Sequence, residues 1–306
     1  MQTIKPTSKK KHLTVTFTVI GIVMALYSLF MMVLLFWGFF TSVKASSGVF
    51  NLFRKNEFGL PQGMPWQWQW SNYVVIFDYI YVDVYTTVSR TRVNAIGMLI
   101  NTIIYAFGGA AVATIVPLMA AYATAKVNYK FNVVIDSIVL VCMAIPIVGA
   151  QPSELQVLRT LNIYDTWVGH FFQNGHIISI FYLVLQASCR GVPITYSEAA
   201  EIEGAGYYSI MFRIVLPLVK TVIMTIFLMQ FIACWNNYTS PLVYLKSHPT
   251  LAYGVFYLVF INGENIISNE PMRMAGSFIL FTPILVLFLV FKDVLMQNLS
   301  MGGLKE

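Results

Sequence analysis

Residues 198–206 read EAAEIEGAG, a polar stretch between hydrophobic runs from which the rest of the fold can be worked out. Three carboxylates fall within six residues, although only 10% of the chain is charged. Charged and apolar residues recur at the i, i+3, i+4 and i+7 spacing of a helix with two different faces. Gly204 and Gly206 can end this helix, and Pro217 begins the next hydrophobic run. The stretch therefore predicts a short helix outside the bilayer, although on these residues alone an ordinary amphipathic connector is an equal alternative.

Composition places the chain in a membrane. Of its 306 residues, 58% are hydrophobic, and the mean hydropathy is +0.70, which leaves too little polar surface for a water-soluble domain. The net charge of +6 is spread thinly along the chain, so nucleic acid is a poor candidate partner. The three cysteines have neither the spacing of a zinc site nor that of a disulfide framework.

Six hydrophobic runs predict an all-α integral membrane protein with six transmembrane helices. The first run is uncharged from Leu13 to Val43, and at about 1.5 Å per residue it exceeds a hydrocarbon core of about 30 Å. The fourth is the least regular, because only Ile177–Cys189 is continuously apolar, and we expect that span to begin earlier, near Trp167. The predicted segments are an N-terminal tail (1–12), the first span (13–43), an external loop (44–93), a core with the second to sixth spans (94–292), which includes the loop at 190–217, and a C-terminal tail (293–306).

The distribution of basic residues predicts that both termini are cytoplasmic. Segments assigned to the inside hold 11 Lys and Arg residues, and those assigned to the outside hold 8, five of them in the long first loop. Long loops weigh less than short ones in the positive-inside rule, so the counts favour this orientation. Asp136 lies close to the predicted inner face, where we expect an interfacial acid that meets a lysine and not an ion relay.

Two aromatic-rich segments each have two interpretations. In the first loop, residues 61–70 read PQGMPWQWQW, which suits either rings seated among lipid headgroups or a docking surface for an external protein. In the predicted fifth span, Trp235, Asn236, Asn237 and Tyr238 place two amides near mid-membrane, where polar groups need a partner or water. These four residues either hydrogen-bond neighbouring helices or border a translocation cavity.

Several chemistries have no counterpart in the sequence. The central parts of the six runs contain no Asp, Glu, Lys or Arg, whereas ion-driven carriers usually place an ionisable group there. No glycine is followed by lysine, so the loop that binds nucleotide phosphates is missing. The four histidines show no metal-ligand spacing and no partnered nucleophile. We therefore expect no enzyme activity, no metal and no cofactor in this chain, and a separate chain as the energy source.

The polar loop resembles the cytoplasmic loop of ABC importer permeases. EAA at 198–200 is followed after three residues by GA at 204–205 and then by I-x-LP at 214–217. This pattern is similar to that of the carbohydrate class, whose best-known members import maltose. The departures are Glu203, where the family usually has Asp, and Thr221, where a second proline often follows.

The resemblance implies a type I ABC importer permease fold in the bacterial cell membrane, with a short coupling helix that fits a groove on the ATPase subunit. The implied partners are a second, homologous permease, two ATP-binding subunits, an external solute-binding protein and the lipid bilayer, with ATP bound by the partner subunits. Trp235–Tyr238 would then border the path of a sugar or oligosaccharide. The implied coupling residues are Glu198, Ala199, Ala200, Glu203, Gly204, Ala205, Leu216 and Pro217.

Two functions of other classes remain open at this stage. An ion-coupled secondary carrier could use a sodium site made of carbonyls and hydroxyls, and a membrane scaffold would transport nothing. Uptake that survives loss of an ATPase but collapses with an ionophore would favour the carrier. The sequence leaves the identity of the sugar open.

Overall fold

The computed structural model describes residues 9–44, 68–85, 90–127, 129–145, 149–261 and 270–301. The tail before residue 9, the PQGMPWQ part of the aromatic segment (61–67) and the closing residues 302–306 lie outside the described residues. The chain forms two compact units. One consists of residues 1–76 with 264–278, and the other consists of residues 77–263 with 279–306.

Helices dominate both units. In chain order the elements are α1 (Lys9–Ser42), α2 (Ser71–Tyr79), β1 (Tyr81–Tyr85), β2 (Arg90–Asn94), α3 (Ala95–Lys126), α4 (Asn132–Ala144), α5 (Ala150–Thr160), α6 (Trp167–Asn174), α7 (Ile180–Gly191), α8 (Ile194–Ile202), α9 (Tyr207–Ile210), a π-helical turn (Met211–Val215), α10 (Leu216–Leu218), α11 (Lys220–Asn236), α12 (Thr239–Tyr244), α13 (Leu251–Phe256), a second π-helical turn (Tyr257–Ile261) and α14 (Glu270–Met301).

Three of the described helices are long and apolar enough to cross a membrane: Phe17–Ser42, Ala95–Lys126 and Glu270–Lys292. A fourth is obtained if Tyr207–Leu218 and Lys220–Asn236, bent by 77° at Val219, count as one span. The predicted third and fourth spans correspond to shorter helices, since α4 has 13 residues and α7 has 12.

Two of the expected spans are interrupted. The fourth is not one helix from Trp167 onward, because Gly175–Ser179 separates α6 from α7. The fifth, in which the sequence placed Trp235–Tyr238, is broken within that group, because α11 ends at Asn236 and a separate helix begins at Thr239. Asn237 lies in this second break, where its side-chain Oδ1 accepts a hydrogen bond from the amide of Ser240 at 2.9 Å, in the first turn of α12.

In the first unit, α1 ends against a polar and aromatic cluster. Its side chains from Phe17 to Trp37 are largely exposed, as expected for a helix whose outer surface meets lipid. At its end, the buried Asn72 Nδ2 donates to the carbonyl of Ser42, the last residue of the helix, at 2.9 Å and to that of Lys44, just beyond it, at 2.6 Å. The Phe39 ring lies about 6 Å from the ring of Trp70.

The predicted external loop contains a β-hairpin, which the all-helical prediction missed. Residues 81–85 read YVDVY, and their alternation buries Val82 and Val84 on one face while Asp83 points to the other. Asp83 accepts hydrogen bonds from Arg90 at 2.7 Å and Arg92 at 3.3 Å on the paired strand. The hydrogen bond from Arg90 lowers the pKa of the Asp83 carboxyl. The ion pairs therefore persist at neutral pH and are lost only as the pH falls through that lowered pKa.

Helix α3 is the central element of the second unit, where it packs against α6, α7, α11 and α13. Small residues on its surface allow close approach of its neighbours. A Cβ atom at Gly108 would lie 2.5 Å from the Phe171 ring, and one at Gly109 would lie 2.8 Å from His170 Nε2. The buried His170 stacks on Tyr105 with ring centroids 3.8 Å apart. Close packing of this kind replaces the hydrophobic driving force that is absent between helices in lipid.

A polar network joins α3, α4 and α7 around Asp136. Tyr182, Gln186 and Arg190 recur every four residues on one face of α7, and all three donate to the Asp136 carboxylate at 2.6–2.9 Å. Gln186 also donates to Thr124 Oγ1 on α3 at 2.8 Å. The predicted lysine partner is therefore wrong, because Asp136 pairs with Arg190.

We predict that Gly169→Ala destabilises the protein. Gly169 lies in the first turn of α6, and a Cβ atom there would overlap the carbonyl oxygen of Ile163, a backbone atom that cannot move aside cheaply. Such overpacking costs about 1–3 kcal/mol, so the unfolding temperature in detergent should fall. The matched control is Gly191→Ala, where a Cβ meets nothing within 4 Å. Equal unfolding temperatures for the two variants would contradict this description of the turn.

Candidate functional site

The predicted short helix is α8, which begins at Ile194 and ends at Ile202. It begins four residues before Glu198, directly after Pro193, whose φ of −56° suits a helix start. Only Ser197 and Ala200 are buried, and they lie three residues apart on one face. The opposite face presents Glu198 and Ile202, which is 88% exposed, and Glu201 and the helix-end residue Glu203 are also exposed.

A left-handed glycine closes α8. Gly204 has φ +85°, a conformation that costs an L-residue with a side chain roughly 1–2 kcal/mol. The amide of Gly204 donates to Glu201 O at 2.9 Å, and the amide of Ala205 donates to Ala200 O at 2.9 Å. These two bonds form a Schellman motif, which satisfies carbonyls that the helix end would otherwise leave free. Gly206 differs from Gly204, since its φ of −77° is open to any residue.

The buried face of α8 lies on an apolar cluster that brings together residues far apart in sequence. Ala200 packs there with side chains of α3 and α7 and of the segment that follows the loop, and Ala205 and Leu216 pack at its margin. Alanine at position 200 permits this close approach because it has no atoms beyond Cβ. The cluster consists of Tyr122, Cys189, Val192, Ala200, Ile210, Met211, Val215 and Val219.

The chain leaves the loop through an irregular helix. A π-helical turn at Met211–Val215 is followed by the short α10 with Pro217, and then by the 77° bend before α11. Pro217 lies in the first turn of α10, where a missing backbone N–H costs little. Sequence patterns did not predict the π-helical turn, whose residues MFRIV are compatible with an ordinary α-helix.

The structure separates the predicted coupling residues into an exposed and a packed group. Ala200 is buried, and Ala205 and Leu216 are half-buried. Glu198, Ala199, Glu203, Gly204 and Pro217 are exposed. Exposed apolar side chains that the prediction did not include flank this group, namely Ile194, Tyr196, Ile202, Tyr207 and Tyr208. Helical periodicity could have predicted the exposure of Ile202, because it lies four residues after Glu198 and therefore on the same face of the helix.

The second predicted group, Trp235–Tyr238, is also divided. Trp235 is buried among Tyr105, Phe231 and Leu245, and its Nε1 donates to the carbonyl of Leu280 at 3.1 Å. Asn237 lies between α11 and α12, and its side chain accepts from the amide of Ser240, as described above. Asn236 and Tyr238 are exposed; Asn236 Nδ2 donates to Ile232 O of its own helix, and the Tyr238 ring stacks on Phe256 at 4.3 Å.

Within the described residues, no group of three or more His, Cys, Asp or Glu side chains could hold a metal ion. The buried cysteines Cys189 and Cys234 lie in apolar clusters.

Comparison with known protein families gives the decisive match. Residues 113–301, more than half of the chain, match the family described as "Binding-protein-dependent transport system inner membrane component". The chain belongs to this family. The matched range includes the entire loop from α7 to α11, and so the short helix α8.

Several curated permeases are similar to this one. The sulfoquinovosyl glycerol transport system permease protein SmoH of Agrobacterium fabrum is 24% identical over 68% of this chain and 72% of its own length. The arabinooligosaccharides transport system permease protein AraQ of Halalkalibacterium halodurans is 28% identical over 61% of this chain and 66% of its own. The melibiose/raffinose/stachyose import permease protein MelC of Bacillus subtilis is 28% identical over 67% and 75%.

A solved structure shares the fold of the permease. It is a chain from the crystal structure of a bacterial ABC transporter involved in the import of the acidic polysaccharide alginate. The TM-score is 0.68 at 19% identity, and the match covers 95% of this chain and 99% of that one. The fold is therefore that of an ABC importer permease.

We predict that Gly204→Ala loosens the end of α8, whereas Gly206→Ala does not. Neither Cβ would meet an atom within 4 Å, so the two variants differ only in backbone conformation. The strain at Gly204 should weaken the Schellman motif by about 1 kcal/mol, or about fivefold in local opening. Hydrogen–deuterium exchange of a peptide over 200–207 measures this opening. Equal exchange in both variants would show that Gly204 is not needed for the cap.

Proposed function

We propose that this chain is the permease subunit of an ATP-driven, binding-protein-dependent importer of a sugar or oligosaccharide. The observation that carries the proposal is α8. This short helix ends in a Schellman motif, exposes acids and Ile202, and lies within the range that matches the family. Sugar import is supported by the relatives, whose names refer to sulfoquinovosyl glycerol, arabinooligosaccharides and melibiose, raffinose or stachyose. The family match favours this function over an ion-coupled carrier or a scaffold.

In the proposed mechanism, α8 is the coupling helix. Glu198, Ala199 and Glu203 lie on its exposed side, where an ATPase subunit would bind them, while Ala200 and Ala205 attach the helix to the permease. Closure of the ATPases on ATP would displace α8 and turn the translocation path from inward-facing to outward-facing. ATP and the solute-binding protein can drive this change only if each binds one conformation more tightly than the other.

The proposed assembly contains a second, homologous permease, two ATP-binding subunits and an external solute-binding protein. It lies in the bacterial cell membrane with both termini of this chain in the cytoplasm. This orientation places α8 on the cytoplasmic side, where ATP is available, and the β-hairpin outside. ATP is bound by the partner subunits, and this chain needs no cofactor.

The solute path is proposed to pass Asn236 and Tyr238. Both are exposed at the point where α11 ends, and an exposed amide and an aromatic ring can bind the hydroxyls and the apolar face of a sugar. Trp235 and Asn237 have a supporting role in this proposal, because each uses its polar group within the chain.

Copurification tests the assembly. A C-terminally tagged chain extracted in mild detergent should copurify with an ATPase and a second permease in comparable amounts, as measured by mass spectrometry. Glu198→Ala combined with Gly204→Leu should remove the ATPase, because the first change deletes an exposed acid and the second strains the helix end. Glu270→Ala, which removes an exposed acid at the start of α14, is the control and should keep the ATPase. A chain that purifies alone would contradict the proposal.

Uptake tests the solute path. In cells that carry the complete importer, uptake of radiolabelled raffinose, melibiose and trehalose identifies a transported sugar. For that sugar, Asn236→Ala should raise the half-saturating concentration at least threefold at an unchanged unfolding temperature. Asn237→Ala should instead lower the unfolding temperature, since it removes the side-chain acceptor of the Ser240 amide, and loss of one such hydrogen bond costs about 1 kcal/mol. Normal uptake kinetics for Asn236→Ala would remove this residue from the path.

A further inference from the structure

Two short non-helical segments, residues 192–193 and 204–206, flank α8 and are called its joints below. Before the helix, Val192 and Pro193 are extended, with ψ of 123° and 135°. After it, the left-handed Gly204 is followed by the extended Gly206. A helix of nine residues between two such joints could turn about them when a partner pushes on it. Something must hold α8 if a displacement is to reach the membrane helices.

Both joints are bound by the last turns of α3. Lys126 Nζ donates to the carbonyl of Val192 at 2.5 Å, just before α8. Tyr122 Oη donates to the carbonyl of Tyr207 at 3.2 Å, just after the glycine-rich joint. Tyr122 and Lys126 are four residues apart and therefore lie on the same face of α3. One face of one helix thus holds the chain on both sides of α8.

Packing between the two hydrogen bonds completes the attachment. The buried Ala200 of α8 belongs to the same apolar cluster as Tyr122, so the Tyr122 side chain contributes both a packing surface and a hydroxyl donor. Lys126 also places its positive charge beside the carbonyl of Val192 at the C-terminal end of α7, where the helix dipole favours a cation. The route from α8 to α11 is different, since it passes through the π-helical turn and the 77° bend.

The opposite end of α3 is bound in a similar way. Asn101 Nδ2 donates to the carbonyl of Pro249 at 3.1 Å, and Thr102 Oγ1 accepts from the amide of Leu251 at 2.7 Å. These bonds connect α3 to the start of α13. The 32 residues of α3 correspond to about 48 Å of helix. A movement imposed on the Lys126 end of α3 would therefore be carried to the loop before α13.

We infer that Tyr122 and Lys126 are positioning residues that fasten the coupling helix to α3. This inference rests on the proposed function of α8. Displacement of α8 by the ATPase is passed to α3 and is not absorbed in the joints at Val192 and Gly204. Neither residue touches the ATPase or the solute in this role; both act through the backbone of the loop.

Distance measurement by electron paramagnetic resonance tests the inference. One spin label replaces Ile115, an exposed residue of α3, and another replaces Glu201, an exposed residue of α8. The half-buried Cys142 is changed to Ala, and the buried Cys189 and Cys234 are retained. In the complex with its ATPases in lipid nanodiscs, the distance distribution should be narrow and should stay the same with and without ATP and vanadate.

The decisive variant is Tyr122→Phe combined with Lys126→Met. It removes both hydrogen bonds and should at least double the width of the distribution, and ATP with vanadate should then shift its mean. The matched control is Tyr129→Phe with Lys130→Met, the same changes on two exposed side chains just beyond α3, and it should leave the distribution narrow. Tyr122→Phe with Lys126→Arg should give a distance distribution nearly as narrow as that of the native protein, because arginine keeps the positive charge and a hydrogen-bond donor.

Two results would overturn the inference. One is an unchanged width in the decisive variant at an unchanged unfolding temperature. The other is a distance that shifts with ATP and vanadate in the native protein, which would show that α8 moves without α3. The width can be measured on the full chain alone in nanodiscs. Failure to copurify an ATPase would therefore count against the proposed function, whereas a normal width in the decisive variant would count against the positioning role.

Discussion

Close backbone approach along α3 is the constraint on which the second unit depends. Helices in lipid gain little from the hydrophobic effect between them, so they pack by shape. Gly108 and Gly109 leave room for Phe171 and His170, and the alanines of the same helix admit α7 and α11. Helix α3 also fixes the loop that contains α8, because Lys126 and Tyr122 donate to the carbonyls of Val192 and Tyr207.

Several buried polar groups in this unit are tolerated because each is paired with another element. His170 bonds to the carbonyl of Tyr105, Trp235 bonds to that of Leu280, and Asp136 receives three donors from α7. An unpaired polar group in a low-dielectric region costs several kcal/mol. These pairs therefore restrict how neighbouring helices can slide, and they do so without an ionisable group at the centre of a long span.

Much of this architecture could be predicted from the sequence, because the strongest signals are local. The hydrophobic runs at α1, α3 and α14 and the polar stretch that forms α8 are patterns within one segment, and Gly204 marks the helix end by its own conformational freedom. The breaks at Gly175–Ser179 and Asn237 were missed because they depend on competing side-chain bonds. The π-helical turn was missed because no residue type specifies it. The hairpin did have a signal, the alternation YVDVY, which the surrounding aromatic residues obscured.

The spacing of Tyr182, Gln186 and Arg190 fixes α7 relative to α3 and α4. These three donors of α7 follow one another by four residues and meet a single carboxylate, so α7 can neither rotate about its axis nor shift by a turn without leaving Asp136 poorly compensated. Thr124 joins α3 to the same set. Helices α3, α4 and α7 are therefore tied to one another through a single carboxylate, and a shift of any one of them would break hydrogen bonds to the other two.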